Sequence, residues 1–209
     1  MIRQFAIASA GRTASTSLFQ SLVDTLSVDS AVCPVWDFSP AGLLAQAYAG
    51  DRYDYVVAKG ETFHFVDHLR HPDRTTLILL TRRDHLRQIT SHLVSLRAGR
   101  FHAAGQAAIS PFRVARHEFL FAAHLVLMME QHFATADFSR FDRVERWCFE
   151  DLTADFPGHL GRLALERPRV ARLGGVGYDA RTIVNMDEVR SWAAALVPEG
   201  LRLRVAEPA

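Results

Sequence analysis

A chain of 209 residues with 49% hydrophobic and 22% charged residues can build a sizeable core, which excludes a disordered segment and favours one domain over 1–209. The net charge of +1 excludes a nucleic-acid binder that relies on a broad basic surface, so an anion must be held by local arginines and backbone N–H groups. Cys33 and Cys148 make no secreted disulfide framework, the longest apolar run (119–129) is too short to span a bilayer, and the N-terminus reads as a core strand, so a cytoplasmic protein with no membrane span is expected.

Along the chain, apolar runs alternate with helical patterns, which predicts an α/β fold: a three-layer sandwich with a central parallel sheet. The spacing predicts strands over 3–9, 31–35, 55–59, 76–80 and 144–149, mostly continuous apolar runs of the kind covered on both faces. Helices are predicted at 15–26, 40–49, 62–70, 84–98, 113–136, 152–166 and 187–196, with loops over 100–111 and 171–186.

The first strand–helix junction reads FAIASAGRTASTSLFQSL, residues 5–22. A helix starting directly after a strand aims several backbone N–H groups at the turn, a P-loop-like layout that binds phosphate or sulfate. Gly11 permits the tight turn. Thr13, Ser15, Thr16 and Ser17 supply hydroxyls, one of them expected to cap the helix, and Arg12 adds a fork that can grip two oxygens. An ordinary capped helix after a core strand would use the same residues. The Gly-Lys-Ser/Thr of kinases and ATPases is missing, which removes the lysine for the β/γ-phosphates and the hydroxyl for magnesium.

The fourth strand runs into TTLILLTRRDHLRQITSHLVSL, residues 75–96. Arg83 lies just past the strand and Ser91 eight residues later, an arginine and a hydroxyl able to clasp one phosphate at the carboxyl ends of the strands. Counting from Arg82 gives Thr90, so two registers are open; a strand followed by a solvated Arg-rich helix is the plain alternative. Asp84 is read as a first-turn acid. The late stretch VERWCFEDLTADFPGHLGRL, residues 144–163, is a further strand-to-helix passage, with Phe149 at the strand's end and Asp151 or Thr153 able to cap the next helix.

These three stretches together resemble the sulfotransferases that use 3′-phosphoadenosine 5′-phosphosulfate (PAPS). GRTASTSL resembles their 5′-phosphosulfate loop, Pro-Arg/Lys-Ser/Thr-Gly-Ser/Thr-Thr-x-Leu: Arg12, Thr13, Ser15, Thr16 and Leu18 match, Ala14 stands at the usual glycine and Gly11 where proline is frequent. RDHLRQITS resembles the 3′-phosphate element, Arg-(x)7-Ser, and favours the Arg83/Ser91 register. Phe149-Glu150-Asp151-Leu152 resembles the late Tyr-Glu-Asp/Glu-Leu segment, which places Phe149 near the adenine. The resemblance covers about residues 3–165 and is closest to a bacterial group that includes trehalose-type enzymes. It implies PAPS as co-substrate, bound by Gly11, Arg12, Thr13, Ala14, Ser15, Thr16, Ser17, Arg83, Ser91 and Phe149, and a hydroxylated small-molecule or carbohydrate acceptor. The family's late Arg/Lys-Gly loop has no clear match; Arg172 and Arg181 are the available substitutes.

Sulfuryl transfer is an in-line displacement in which charge builds on the departing phosphate, so a cation such as Arg12 belongs beside it. The acceptor must lose a proton, a task for a carboxylate or histidine. The strand ending at Lys59 puts Glu61 and His64 at the sheet's carboxyl edge. Some members of the family use a histidine here and others a glutamate; Glu61 is the first candidate base and His64 the second, with Lys59 holding the phosphosulfate or the acceptor. His64, His68 and His71 lack the His-Glu-x-x-His pattern, so no metal is expected. Trp36, Phe38, Tyr48, Phe63, Phe101 and Phe112 offer aromatic faces to an acceptor. The chain is short for the family, which leaves room for a homo-oligomer whose neighbouring subunit completes the pocket. A non-catalytic nucleotide-binding relative and a degenerate P-loop kinase or NTPase are the alternatives.

Overall fold

The computed structural model describes residues 2–36, 41–49, 52–61, 65–99, 109–163, 165 and 182–196. In chain order its elements are β1 (Arg3–Ser9), α1 (Ser15–Leu26), β2 (Val32–Trp36), α2 (Ala41–Tyr48), β3 (Tyr55–Gly60), β4 (Thr75–Thr81), α3 (His85–Ala98), α4 (Arg116–Thr135), β5 (Arg143–Cys148), α5 (Phe149–Ala154), α6 (Phe156–Arg162) and α7 (Met186–Ala195). They fall into two compact units, 2–81 with 135–165 and 82–134 with 182–196.

The first unit is an α/β unit around a five-stranded, all-parallel sheet in the order β2-β3-β1-β4-β5, flanked by helices. The continuous apolar runs predict this. Consecutive side chains of a strand face opposite sides, so the full burial of Ala6, Ile7 and Ala8 on β1, and of Val56, Val57 and Ala58 on β3, requires cover on both. On one face, Phe5, Ile7, Val57, Ile78 and Leu80 pack with Leu18, Phe19, Leu22 and Leu26 of α1 and with Leu152, Phe156 and Leu160 of α5 and α6. The apolar positions of α1 recur at helical spacing, and truncating the fully buried Leu22 to Ala would cost about 3 kcal/mol.

Three predicted helices differ. Residues 62–64 lie outside the described residues; of 65–70 only Val66–His68 forms a single 3-10 turn. Gly60 explains part of this: a Cβ there would stand 2.0 Å from Phe65 Cγ, so the chain folds Phe65 back onto the strand end. The helix expected over 152–166 begins earlier and breaks in two at Asp155, whose side chain accepts from the Gly158 N–H at 3.0 Å, while Pro157 in the first turn has no N–H to offer the preceding helix. The loops expected at 100–111 and 171–186 lie largely outside the described residues.

The second unit holds α3, α4 and α7 around Leu86, Ile89, Val94, Phe119, Ala123 and Val189. The helix predicted over 113–136 starts only at Arg116, because Asn185 clamps both backbone groups of Val114 at 3.0 Å and keeps them out of the helical bonding pattern. Glu118 then reaches back to the Ala115 N–H at 2.7 Å, the reciprocal half of a capping box. Leu120 and Met128 of α4 are exposed.

Candidate functional site

The central strand β1 separates β3 on one side from β4 on the other, so the turn at its carboxyl end, 10–14, lies where the strand order reverses. Open parallel sheets bind ligands at that point. Gly11, Arg12 and Ala14 all have positive φ there, 73°, 54° and 60°. A tight turn of this kind can aim successive backbone N–H groups into one concavity. Gly11 adopts this conformation freely; for Arg12 and Ala14 it is strained.

The helix α1 begins at Ser15 with Ala14 as its N-cap, and no side chain caps it. The expected Ser or Thr cap is therefore absent. Ala14 in the left-handed region cannot supply one, and the hydroxyls go elsewhere: Ser15 Oγ bonds Glu61 Oε1 at 3.3 Å, and Thr13 is fully buried with its Oγ1 unpartnered. Arg12, Thr16 and Ser17 are half-buried on the same turn.

The next strand supplies the charges. Lys59 pairs with Ile7 of β1 in the sheet register and is fully buried. Its Nζ lies 2.6 Å from Glu61 Oε1 and 5.3 Å from the centroid of Trp36, whose ring packs on Phe19 at 4.6 Å. The Glu61 side chain is 21% exposed. A Cβ on Gly11 would sit 3.2 Å from Glu61 Oε2, so the carboxylate rests against the turn itself. The structure thus brings Gly11, Ser15, Lys59 and Glu61 together. His64 lies outside the described residues.

Arg83 and Ser91 belong to the second unit. Arg83 is exposed just before α3, whereas Arg82 is only 8% exposed. Asp84 is the N-cap of α3, accepting from the Arg87 N–H at 2.9 Å. Thr90 is buried, and its hydroxyl is committed to the carbonyls of Leu86 at 2.9 Å and Arg87 at 3.2 Å. Ser91 is half-buried. Phe149 is the first residue of α5, directly after β5, and half-buried.

Of the aromatic residues, Phe38, Phe63 and Phe101 lie outside the described residues, as do Arg172 and Arg181. Tyr48 turns its hydroxyl to Gln4 Oε1 and its ring to His71, and burial pushes its phenol well above the ordinary range. Phe112 lies under the Arg97 guanidinium at 5.3 Å, along a cleft of about 520 Å³ that Leu93, Leu96 and Phe121 also line. Sequence reasoning missed the roles of Ser15 and Trp36 around Lys59, and the buried pair His85–Glu130, at 2.8 Å. The i, i+2 spacing of Lys59 and Glu61 at a strand end was the available signal, since such residues point the same way.

Among the described residues, no group of three or more His, Cys, Asp or Glu side chains is placed to hold a metal ion, and no helix is long and apolar enough to cross a membrane. No protein-family model matches the chain, and no curated protein matches it in sequence. Among solved structures, that of mouse sulfotransferase SULT7A1 complexed with PAP matches with a TM-score of 0.46 and 10% identity, over 98% of this chain and 70% of that chain.

Proposed function

We propose that the chain transfers a sulfuryl group from PAPS to a hydroxyl of a small-molecule or carbohydrate acceptor. The observation that carries this reading is the turn after β1: three left-handed residues in four, a cationic side chain at Arg12, and a buried Lys59–Glu61 pair set against Gly11. An anion nest with no lysine of the P-loop kind suits a phosphosulfate held by N–H groups and a guanidinium better than a magnesium-bound triphosphate.

In this reading the residues 11–17 and Arg12 take the 5′-phosphosulfate, Arg83 and Ser91 the 3′-phosphate, and Phe149 the adenine. The acceptor oxygen attacks sulfur, the bond from sulfur to the bridging phosphate oxygen breaks, and the acceptor's proton passes to the Glu61 carboxylate. Arg12 and Lys59 offset the charge that collects on the leaving adenosine 3′,5′-bisphosphate. Glu61 Oε2 is the atom for the proton, because Oε1 already accepts from Lys59 and Ser15.

Titration calorimetry with adenosine 3′,5′-bisphosphate tests the binding half. Tight binding that EDTA leaves unchanged is expected. A folded protein with no affinity for this nucleotide, or one that binds ATP only with magnesium, would overturn the reading. A second reading, a nucleotide-binding relative without turnover, draws support from the double engagement of Glu61 Oε1. Turnover of labelled PAPS with a panel of alcohols and sugars separates the two.

A further inference from the structure

Resting on the placement of Arg83 at the 3′-phosphate, we infer that Glu130, acting through His85, is a positioning residue that sets the specificity for a 3′-phosphorylated nucleotide. The pair His85 and Glu130 takes no part in the sulfuryl-transfer chemistry. His85 is 1% exposed, and its Nε2 lies 2.8 Å from Oε1 of Glu130, a carboxylate that is itself only 16% exposed. The two sit beside an otherwise apolar cluster that includes Leu86, Ile89 and Val126. Taking a carboxylate and an imidazole out of water here gains little stability over two packed apolar side chains; what such a pair gains is one register. Sliding α3 against α4 by a turn would separate the two groups and strand both.

That register reaches Arg83 through the backbone. The His85 N–H donates to the Arg83 carbonyl at 3.1 Å, closing a three-residue turn. Asp84, between them, is fixed by its own bond to the Arg87 N–H at 2.9 Å. Arg83 is exposed and belongs to neither strand nor helix, and this turn fixes the main chain from which it extends. Glu130 orients the ring, the ring seats His85 at the head of α3, and the seated His85 holds the main chain from which the Arg83 guanidinium extends.

The readout is the ratio of affinities for adenosine 3′,5′-bisphosphate and adenosine 5′-monophosphate, which differ only in the phosphate given to Arg83. Arg83→Ala should lower the ratio at least tenfold. Glu130→Ala should lower it about fivefold while leaving the monophosphate affinity within twofold, and Glu130→Gln, whose amide oxygen still accepts from the ring, should restore the wild-type ratio. Should Glu130→Ala fold poorly, the double variant His85→Leu/Glu130→Leu fills the same space without the directional bond and should show the same lowered ratio. An unchanged ratio in Glu130→Ala or the double variant, or an equal loss for both nucleotides, overturns the inference while the Arg83 placement stands. An unchanged ratio in Arg83→Ala overturns both.

Discussion

Lys59 and Glu61 form an ion pair of 2.6 Å in which the ammonium is fully buried and the carboxylate is 21% exposed. The burial is asymmetric, and so is the consequence of breaking the pair. Removing the carboxylate leaves a charge with no access to water, whereas removing the ammonium leaves a carboxylate that can rehydrate.

Glu61→Ala should therefore destabilise the fold by about 3 kcal/mol, at the lower end for a broken buried pair because Glu61 is partly wet. Lys59→Met should cost less than half of that, since the methionine fills the space beside Trp36. The double variant Lys59→Met/Glu61→Gln should recover most of the loss. Urea denaturation of the four proteins measures this directly. Equal losses in the two single variants would show that the pair is not buried as described.

The turn between β1 and α1 makes a second prediction. At Gly11, φ is +73° and an added Cβ would meet Glu61 Oε2 at 3.2 Å. Gly11→Ala should cost about 1–2 kcal/mol from backbone strain alone and should also push the carboxylate off the turn. Ala14, at φ 60°, already carries that strain, so Ala14→Gly should be neutral to stabilising by about 1 kcal/mol, the relief being partly offset by the greater freedom of glycine in the unfolded chain. Thermal melts of both variants, with nucleotide binding measured alongside, check the two signs.

Much of this site is legible in the sequence because it is local. The apolar run 3–9, the glycine at 11 and the hydroxyl cluster give a strand, a turn and a helix within one short stretch, and the strand ends expected at 59 and 80, where apolar runs stop, fall one residue short of the observed Gly60 and Thr81. The hidden part is long-range. The partner of Ser15 is 46 residues away, and the partner of His85 is 45 away. The cap of α1 escapes a sequence reading because Ser and Thr at a helix start usually mean a side-chain cap, and only backbone angles reveal that a left-handed Ala14 has taken the position. The break within 152–166 escapes it because Asp155 and Pro157, a cap followed by a helix-starting proline, lie inside an apolar pattern that looks continuous.

Tyr48 gives a pH-dependent prediction. Its phenol is raised above the ordinary value by burial first, then by the charge of Cys33, against a smaller opposing effect of Arg70. Below about pH 10 the phenol is neutral in both the folded and the unfolded chain and adds no pH dependence. Above that, the unfolded chain releases the proton while the folded chain keeps it, so the unfolded state gains and stability falls with rising pH. Tyr48→Phe should lose about 1 kcal/mol at neutral pH, because the bond to Gln4 is gone, and should then fall less steeply than wild type on the alkaline side. Urea midpoints on either side of about pH 10 would show it; parallel slopes would place the phenol in contact with solvent.

The two registers of the second motif make opposite predictions about neighbouring hydroxyls. If Arg82 and Thr90 clasped the phosphate, Thr90→Val would abolish the contact and Ser91→Ala would be silent. The proposed register, Arg83 with Ser91, predicts the reverse. Thr90 is buried with its hydroxyl bonded back to two carbonyls of its own helix, a use that a ligand would have to break, and Arg82 is buried beside an exposed Arg83. Thr90→Val, which keeps the shape and gives up only a local bond, should leave affinity for adenosine 3′,5′-bisphosphate within twofold and shift stability by under about 1 kcal/mol. Ser91→Ala should weaken the same affinity about tenfold, the scale of one hydrogen bond to a charged phosphate. Calorimetric titration of the two variants decides between the registers, and a loss that tracks Thr90 would move the 3′-phosphate to Arg82.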